Sequence, residues 1–460
     1  MAQFTSSELQ RHFSPAASLA ALGTHLRQID LFGPICESVK IAQKSVKYTP
    51  IDKLKDAFIS ILAGAHGLCE INTRLRSDVA LQAAFGRKAC AEQSVVQETL
   101  NKCRVEQVSQ LAQALQTIYR QHSQGYAHDY KQAWQLLDVD LTGMPCGKKA
   151  AFASKGYFAQ QRYRRGRQLG RVLATRYHEI VIDQLFDGKT YLRTALRPLL
   201  SAAERVLDLD EAKRARTIVR IDAGGGSVKS INWLLERDYQ VHAKDYSGQR
   251  AHKLAASVSS WVDDPRIEGR QVGWVRAEAS VYAREVRRIA VRCRKKNGQW
   301  GVGVLISTLS EAEVLRLSGQ PPTALRDQAR VLLAYVYFYD QRGGGVETAI
   351  KDDKQGLGIT KRNKKRFEAQ QMVMLLNLLA HNVLIWARRW LAPLLPQIKR
   401  YGLLRLVRDV WHISGFVERD AHGHLTRIAL NQLAPVAQGL GLALQQLLAP
   451  AQVVVNLGQT

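Results

Sequence analysis

The chain has 460 residues, with 66 Lys+Arg against 40 Asp+Glu and a formal net charge of +26. An excess of this size, spread along the whole length, reads as attraction to a polyanion, and it favours nucleic acid over a membrane surface because no uninterrupted apolar span of membrane length occurs. Six cysteines lie far apart with no Cys-x-x-Cys pair, and the twelve histidines show no His-Glu-x-x-His pattern, which argues against a zinc site and a disulfide framework.

Residues 1–127 read as helical, with apolar residues at three- and four-residue spacing near Leu19, over Leu54 to Leu62 and over Val95 to Tyr119. The first residues, Met-Ala-Gln-Phe-Thr-Ser-Ser-Glu, have neither a basic flank nor an apolar signal core, which predicts a cytoplasmic, nucleoid-associated bacterial protein. Ser94 with Glu98 resembles a helix N-cap pattern. With Arg74, Arg76, Arg87 and Lys88 just upstream, this segment is a candidate helix-turn-helix-like DNA reader, against the plainer reading of a helical bundle with a polar face.

The next segment, 128–227, opens with Trp134-Gln-Leu-Leu-Asp138-Val-Asp140-Leu-Thr142, an alternating half-buried strand that ends on a carboxylate. The Asp138 and Asp140 side chains share one face of it, and Asp140 is preferred for its place at the strand end. The basic run Gln161-Arg162-Tyr163-Arg164-Arg165-Gly-Arg167 follows, with Arg164 and Arg165 as candidate phosphate contacts or a solvated loop. Strands over Gln168 to Ala174 and Glu179 to Phe186 precede a helix near Leu192 to Val206. Thr217-Ile-Val-Arg-Ile-Asp222 is a further short apolar strand that ends on an acid. A lone strand-end aspartate is usually a turn former, so neither acid persuades by itself. The glycines after Asp222 lack the Gly-Lys-Ser/Thr ending of a P-loop.

Residues 228–330 predict a β-rich insertion, with strands over Val272 to Ala279, Val286 to Lys295 and Trp300 to Thr308 and a hairpin at Lys296-Asn297-Gly298. Segment 331–400 holds Tyr339-Asp-Gln-Arg342-Gly-Gly-Gly-Val-Glu347, and Lys354 follows seven residues after Glu347. A helix starting near Val346 presents Glu347 and Lys354 on one face. The cluster Lys361-Arg362-Asn-Lys364-Lys365-Arg366 then leads into a helix over Phe367 to Leu391 and offers Lys364 and Lys365 as duplex contacts. Residues 401–460 read as a helical tail.

Two strand-end aspartates and one glutamate at a helix start suit hard divalent cations, which prefer carboxylate oxygen. On these residues the chain resembles the DDE transposases of the IS4 superfamily, with their Y-R-E-K signature. Asp140, Asp222 and Glu347 match the three catalytic acids, and Tyr339, Arg342 and Lys354 match the other signature letters. One departure is plain: four residues separate Arg342 from Glu347 where the usual pattern has three. The resemblance implies an α/β (α+β) fold, with an RNase H-like core carrying a β-rich insertion between helical N- and C-terminal regions. It implies an insertion-sequence transposase that uses two Mg²⁺ ions, with Mn²⁺ as a substitute, to cut the element's inverted-repeat ends and join them to target DNA within a homodimer. In some members of that family a tryptophan of the insertion stacks on a base flipped out of the duplex end, which makes Trp300 and Trp274 candidates. A catalytically inactive transposase-derived DNA-binding protein is the alternative.

Overall fold

The computed structural model describes residues 10–44, 47–156, 158, 161, 163–276 and 281–458. It divides into two compact units, one made of 1–123, 145–153 and 351–460 and the other of 124–144 and 154–350.

The second unit is built on one continuous sheet. Its central strands are β1 (Gln135–Pro145), β2 (Arg165–Ala174), β3 (Glu179–Asp187), β4 (Thr217–Ile221) and β5 (Gln240–Lys244). They lie in the order β3-β2-β1-β4-β5, with β1, β4 and β5 parallel and β2 antiparallel to β3. That order is RNase H-like. Because both of its faces are covered, all five residues of β4 are buried and three of them, Ile218, Val219 and Ile221, are apolar. Its charged residue, Arg220, therefore needs an internal partner.

The insertion does not stand as a separate body. Its strands β6 (Val262–Asp263), β7 (Arg270–Trp274), β8 (Arg287–Arg294) and β9 (Trp300–Ser307) extend the same sheet through antiparallel pairing of β9 with β5. The expected hairpin is present, with Gly298 at φ +78° and its N–H donating to the Lys295 carbonyl. Residues 277–280, inside the strand expected to end at Ala279, lie outside the described residues. β5, a strand of the central sheet, lies within 228–330, apart from the three strands expected in that segment.

The helices of this unit are α1 (Leu192–Leu207), α2 (Val228–Leu235), α3 (Gly248–Ala255) and α4 (Gln328–Arg342). Along β8, Ile289 packs with α4 and Ala290 packs with α3. Successive strand residues face opposite ways, so α3 and α4 cover opposite faces of the sheet. The buried run Val331 to Phe338 of α4 seals the face carrying Ile218, Val272 and Leu305. Its last turn, with Tyr339 and Arg342, is thereby set over the middle of β1 and the end of β4.

In the other unit, helices Pro50–Leu62, Gln93–Lys102 and Val105–His122 pack around the nearly fully buried helix Phe367–Leu391. Ser94 is inside its helix, which starts one residue earlier after Glu92, so it is not the N-cap. The 401–460 region corrects the expectation of a helical tail. Strands Gly415–Arg419, Leu425–Asn431 and Val454–Gly458 form a sheet with Gln10–Ser14, alongside a helix Ala437–Leu448. Alternation at Ile428-Ala-Leu430 and a turn at Gly423 with φ +83° explain the hairpin. Among the described residues no helix is long and apolar enough to cross a membrane.

Candidate active site

The middle of β1, the end of β4, the last turn of α4 and the loop after it converge; β1 runs on to Pro145, so Asp140 is not at the strand end that the sequence suggested. On β1, alternation turns Asp138 and Asp140 to the same side, but their surroundings differ. Asp138 is fully buried and takes both arms of Arg220, Nε to Oδ1 at 2.7 Å and Nη2 to Oδ2 at 2.9 Å. Arg220 in turn donates to the Phe338 carbonyl at 2.8 Å and stacks over the Phe338 ring. Asp138 is thus saturated by a structural pair. Asp140, one pleat nearer the strand end, accepts from its neighbour Leu141 N–H at 2.8 Å and faces Arg342 Nη2 at 3.4 Å.

Arg342 is 3% exposed and also donates through Nη1 to Glu347 Oε1 at 2.7 Å, and through Nη2 to the Val139 carbonyl at 3.1 Å. One buried guanidinium therefore bridges two of the three acids. Burial pushes the Asp140 carboxyl up to about 6; Asp222 and Glu347 push the same way, while Arg342 and the Leu141 N–H oppose them. Burial likewise raises the Tyr339 hydroxyl well above its ordinary range, with Arg342 opposing and Asp222, Glu347 and Asp140 reinforcing. These groups share one electrostatic environment. The Tyr339 ring packs at 6.0 Å from the His242 ring, and that histidine is fully buried between Ser307 Oγ and the Tyr335 carbonyl.

The four-residue spacing between Arg342 and Glu347 is absorbed by the backbone. After α4 the chain makes a wide turn over Gly343–Glu347, and helix α5 (Thr348–Gly356) follows. A turn closed from residue i to i+5 brings Arg342 level with Glu347, and Thr348 Oγ1 donates to the Gly343 carbonyl at 2.8 Å across the same span. Gly345 leaves helical geometry there, at φ −92° and ψ −108°. A Cβ on it would stand 2.5 Å from Asp138 Oδ2 and 2.8 Å from Thr175 Cγ2, so the glycine lets the turn lie directly on the Asp138–Arg220 pair.

Asp222 sits just past β4. Its Oδ1 is buried without a hydrogen-bond partner among the described residues, and its carbonyl accepts from Gly225 N–H at 3.1 Å. The following glycines have a steric reason, since a Cβ on Gly226 would lie 1.8 Å from the Lys244 carbonyl.

The structure therefore gathers Asp140, Asp222, Glu347, Arg342 and Tyr339. Lys354 is on α5, in the stretch that folds with the other unit. Arg164 and Arg165 are exposed where β2 begins, and Arg162 lies outside the described residues. Trp300 opens β9 with one face occupied by Arg292, whose guanidinium lies 4.5 Å from it and 4.1 Å from Trp261. Trp274 is corrected to a packing residue, edge-on to Tyr335 at 5.6 Å within the α4 core. The basic cluster also needs correcting. Lys365 is exposed, but Lys364 is 7% exposed and burial, with Arg362 adding, lowers its ammonium to about 8. Arg362 is buried too, donating to the Ala65 and Leu357 carbonyls. These two side chains build their unit instead of facing a duplex.

Sequence reasoning missed Arg220 and Gly345. An arginine inside an otherwise apolar strand was the available signal for a buried acid partner.

A family model described as Transposase DDE domain group 1 matches residues 27–449. The chain belongs to this DDE transposase family. A comparison with curated proteins finds no relative. Among solved structures, it is similar to a piggyBac transposase in a synaptic complex with hairpin DNA, determined by cryo-EM, at 12% identity and a TM-score of 0.45, over 87% of this chain and 82% of that one.

Proposed function

We propose that this DDE transposase serves an insertion sequence of the IS4 type, cutting the element's ends and joining them to target DNA by metal-dependent phosphodiester hydrolysis and strand transfer. The observation that supports this best is the grouping of Asp140, Asp222 and Glu347 around the buried Arg342 guanidinium.

Among the described residues no three acids yet stand in metal-binding geometry, since Arg342 bridges two of them. Their chemistry nonetheless fits. All the donors are hard oxygens, Asp222 keeps a buried Oδ1 without a partner among the described residues, and the Glu347 side chain is 56% exposed. Asp140, Asp222 and Glu347 would hold two Mg²⁺, or Mn²⁺, which when bound supply the charge that activates water or a 3′-hydroxyl and steadies the leaving 3′-oxygen. Arg342, released from Glu347, would turn its freed N–H groups to a phosphate beside the cut. Tyr339, kept protonated by burial, donates one hydrogen bond to the same backbone. Lys354 adds a point charge two turns along α5. Arg164, Arg165 and Lys365 hold duplex phosphates without reading sequence, and Trp300 offers its open face to a base. The substrates are the element's inverted-repeat ends and the target duplex, held by a homodimer in a synaptic complex.

The test is nicking of duplex DNA carrying the inverted repeats that flank the gene. Asp222→Asn and Glu347→Gln should abolish Mg²⁺-dependent nicking and keep end binding. Wild-type nicking in either variant overturns the assignment. A wild-type protein that binds the ends without nicking them is the inactive descendant instead.

A further inference from the structure

Beside the Asp222 loop lies a cluster that none of the signature residues explains. Tyr191 and Tyr246 are 51% and 45% exposed, and the Arg193 guanidinium sits between them, 5.2 Å from the Tyr191 ring and 5.1 Å from the Tyr246 ring. Arg193 Nη1 donates to the Tyr246 hydroxyl at 2.7 Å. Among the described residues it makes no ion pair, although Asp245 is next to Tyr246 in sequence. That acid is already taken by Arg250.

Backbone contacts tie the cluster to the candidate active site. The Arg193 N–H donates to the Gly224 carbonyl at 3.0 Å, and the Tyr246 N–H donates to the Gly226 carbonyl at 3.1 Å. Leu192, between Tyr191 and Arg193 in sequence, packs where a Cβ on Gly225 would meet it at 3.0 Å. The loop carrying Asp222 is therefore held from one side by the first turn of α1 and from the other by the end of β5. A cation with spare N–H groups stands there between two exposed aromatic rings.

An exposed ring can stack on a base only when that base is not covered by its duplex neighbours, and a guanidinium held at ring height reaches the phosphate of the same nucleotide. We propose that Tyr191, Arg193 and Tyr246 form a clamp for an unpaired DNA strand entering the Asp222 loop, the two rings stacking on bases and Arg193 holding the intervening phosphate. The clamp rests on the transposase reading above and adds to it the positioning of the strand next to the cut. Such a strand exists only where the duplex end is opened, so the clamp discriminates opened ends from intact duplex.

The probe is a short thymidylate oligomer with one internal 2-aminopurine, mixed with the full chain in EDTA. Stacking quenches its fluorescence. Tyr191→Ala and Tyr246→Ala should each lose the quench and bind the oligomer on the order of ten-fold more weakly. Tyr246→Phe keeps a ring and should keep the quench, which guards against misreading a folding defect. Arg193→Gln should flatten the slope of log affinity against log salt by about 0.7, one single-strand phosphate. Blunt duplex of random sequence should bind all variants alike. Quench and affinity unchanged in both alanine variants, or an equal loss on blunt duplex, would show a latch for the loop and overturn the clamp. Because no divalent metal is present, this result is independent of cleavage. Failure of the transposase reading would instead show as nicking that survives Asp222→Asn.

Discussion

Asp138 and Asp140 are two residues apart on one strand and chemically identical, yet the structure predicts opposite consequences for their amides. Asp138→Asn leaves Arg220, 1% exposed, with one amide oxygen, the Phe338 carbonyl and the Phe338 ring in place of a bidentate carboxylate, and puts an amide NH2 opposite its second arm. Removing one partner of a buried pair costs about 3–5 kcal/mol, because the remaining charge stays desolvated. At a few degrees per kcal/mol for a unit of this size, the fall in Tm is on the order of 10 °C. For Asp140 the sign reverses. Its folded pKa is raised from 3.8 to about 6, so its favourable contribution is complete below about pH 3.8 and is lost as pH rises through 6. In metal-free buffer at pH 7.5 the charged form burdens the fold, and the neutral amide relieves it. Asp140→Asn should therefore be at least as stable as wild type while losing Mg²⁺-dependent nicking. Urea denaturation and the nicking assay on both variants, side by side, decide it. A stable, inactive Asp138→Asn with an unstable, active Asp140→Asn would refute the assignment of roles.

Gly345→Ala should lower stability by about 1–3 kcal/mol through overpacking on Asp138 and Thr175, read by urea denaturation, and should depress nicking more than DNA binding. Arg342→Ala should weaken the cleaved complex by roughly 1.5–3 kcal/mol while leaving initial duplex binding intact, measured by gel shift of cut against uncut ends. His242 is buried and neutral, its pKa lowered to about 3 by burial, with Arg220 adding. Its contribution to stability is full above about pH 6.5 and lost as pH falls toward 3, at about 1.4 kcal/mol per unit, so His242→Gln should flatten the acid limb of the urea-midpoint profile against wild type. Neutralising Lys361, Lys365 and Arg366 together should lower affinity for all duplexes alike and flatten the salt dependence, whereas Lys364→Ala should show first as lost stability by thermal denaturation.

Much of the central sheet was legible because its strands carry their own signals. β1 alternates over its first half, β4 is apolar apart from Thr217 and Arg220, and Asp222 follows β4 directly before a turn, although β1 runs on past Asp140 to Pro145. The hairpin of the insertion was legible for a similar reason, with Asn297-Gly298 at its tip. What was not legible depended on partners distant in sequence. Lys364 and Arg362 sit in a dense basic run that looks solvated, and only the packing around them shows that two of its cations are enclosed. The C-terminal strands were hidden because one of their neighbours, Gln10–Ser14, lies some 400 residues away in the chain, as the pairing of Gln10 with Arg419 shows. For the same reason residues 1–123 fold with 351–460. Deleting 1–127 would therefore unfold a unit instead of removing a module, and it cannot by itself locate end recognition.

The five-residue step from Arg342 to Glu347 shows how a wide turn can align two side chains that a regular helix would not. In a regular helix each residue would rotate the next side chain by about 100° and the step would carry Glu347 away from Arg342. Here a wide turn with i to i+5 closure brings the two side chains level, and the 2.7 Å contact between them is the result. That solution needs a backbone that can leave helical geometry at Gly345 and a floor flat enough to receive it. The Asp138–Arg220 pair provides that floor, and its buried charges are compensated by each other, by the Phe338 carbonyl and by the Phe338 ring. The structural acid of β1 thus supports the turn that presents Glu347, while its neighbour two residues on faces Arg342. A single strand carries both the acid under the turn and the acid that faces Arg342, which is why the charged groups stay together across a five-residue step.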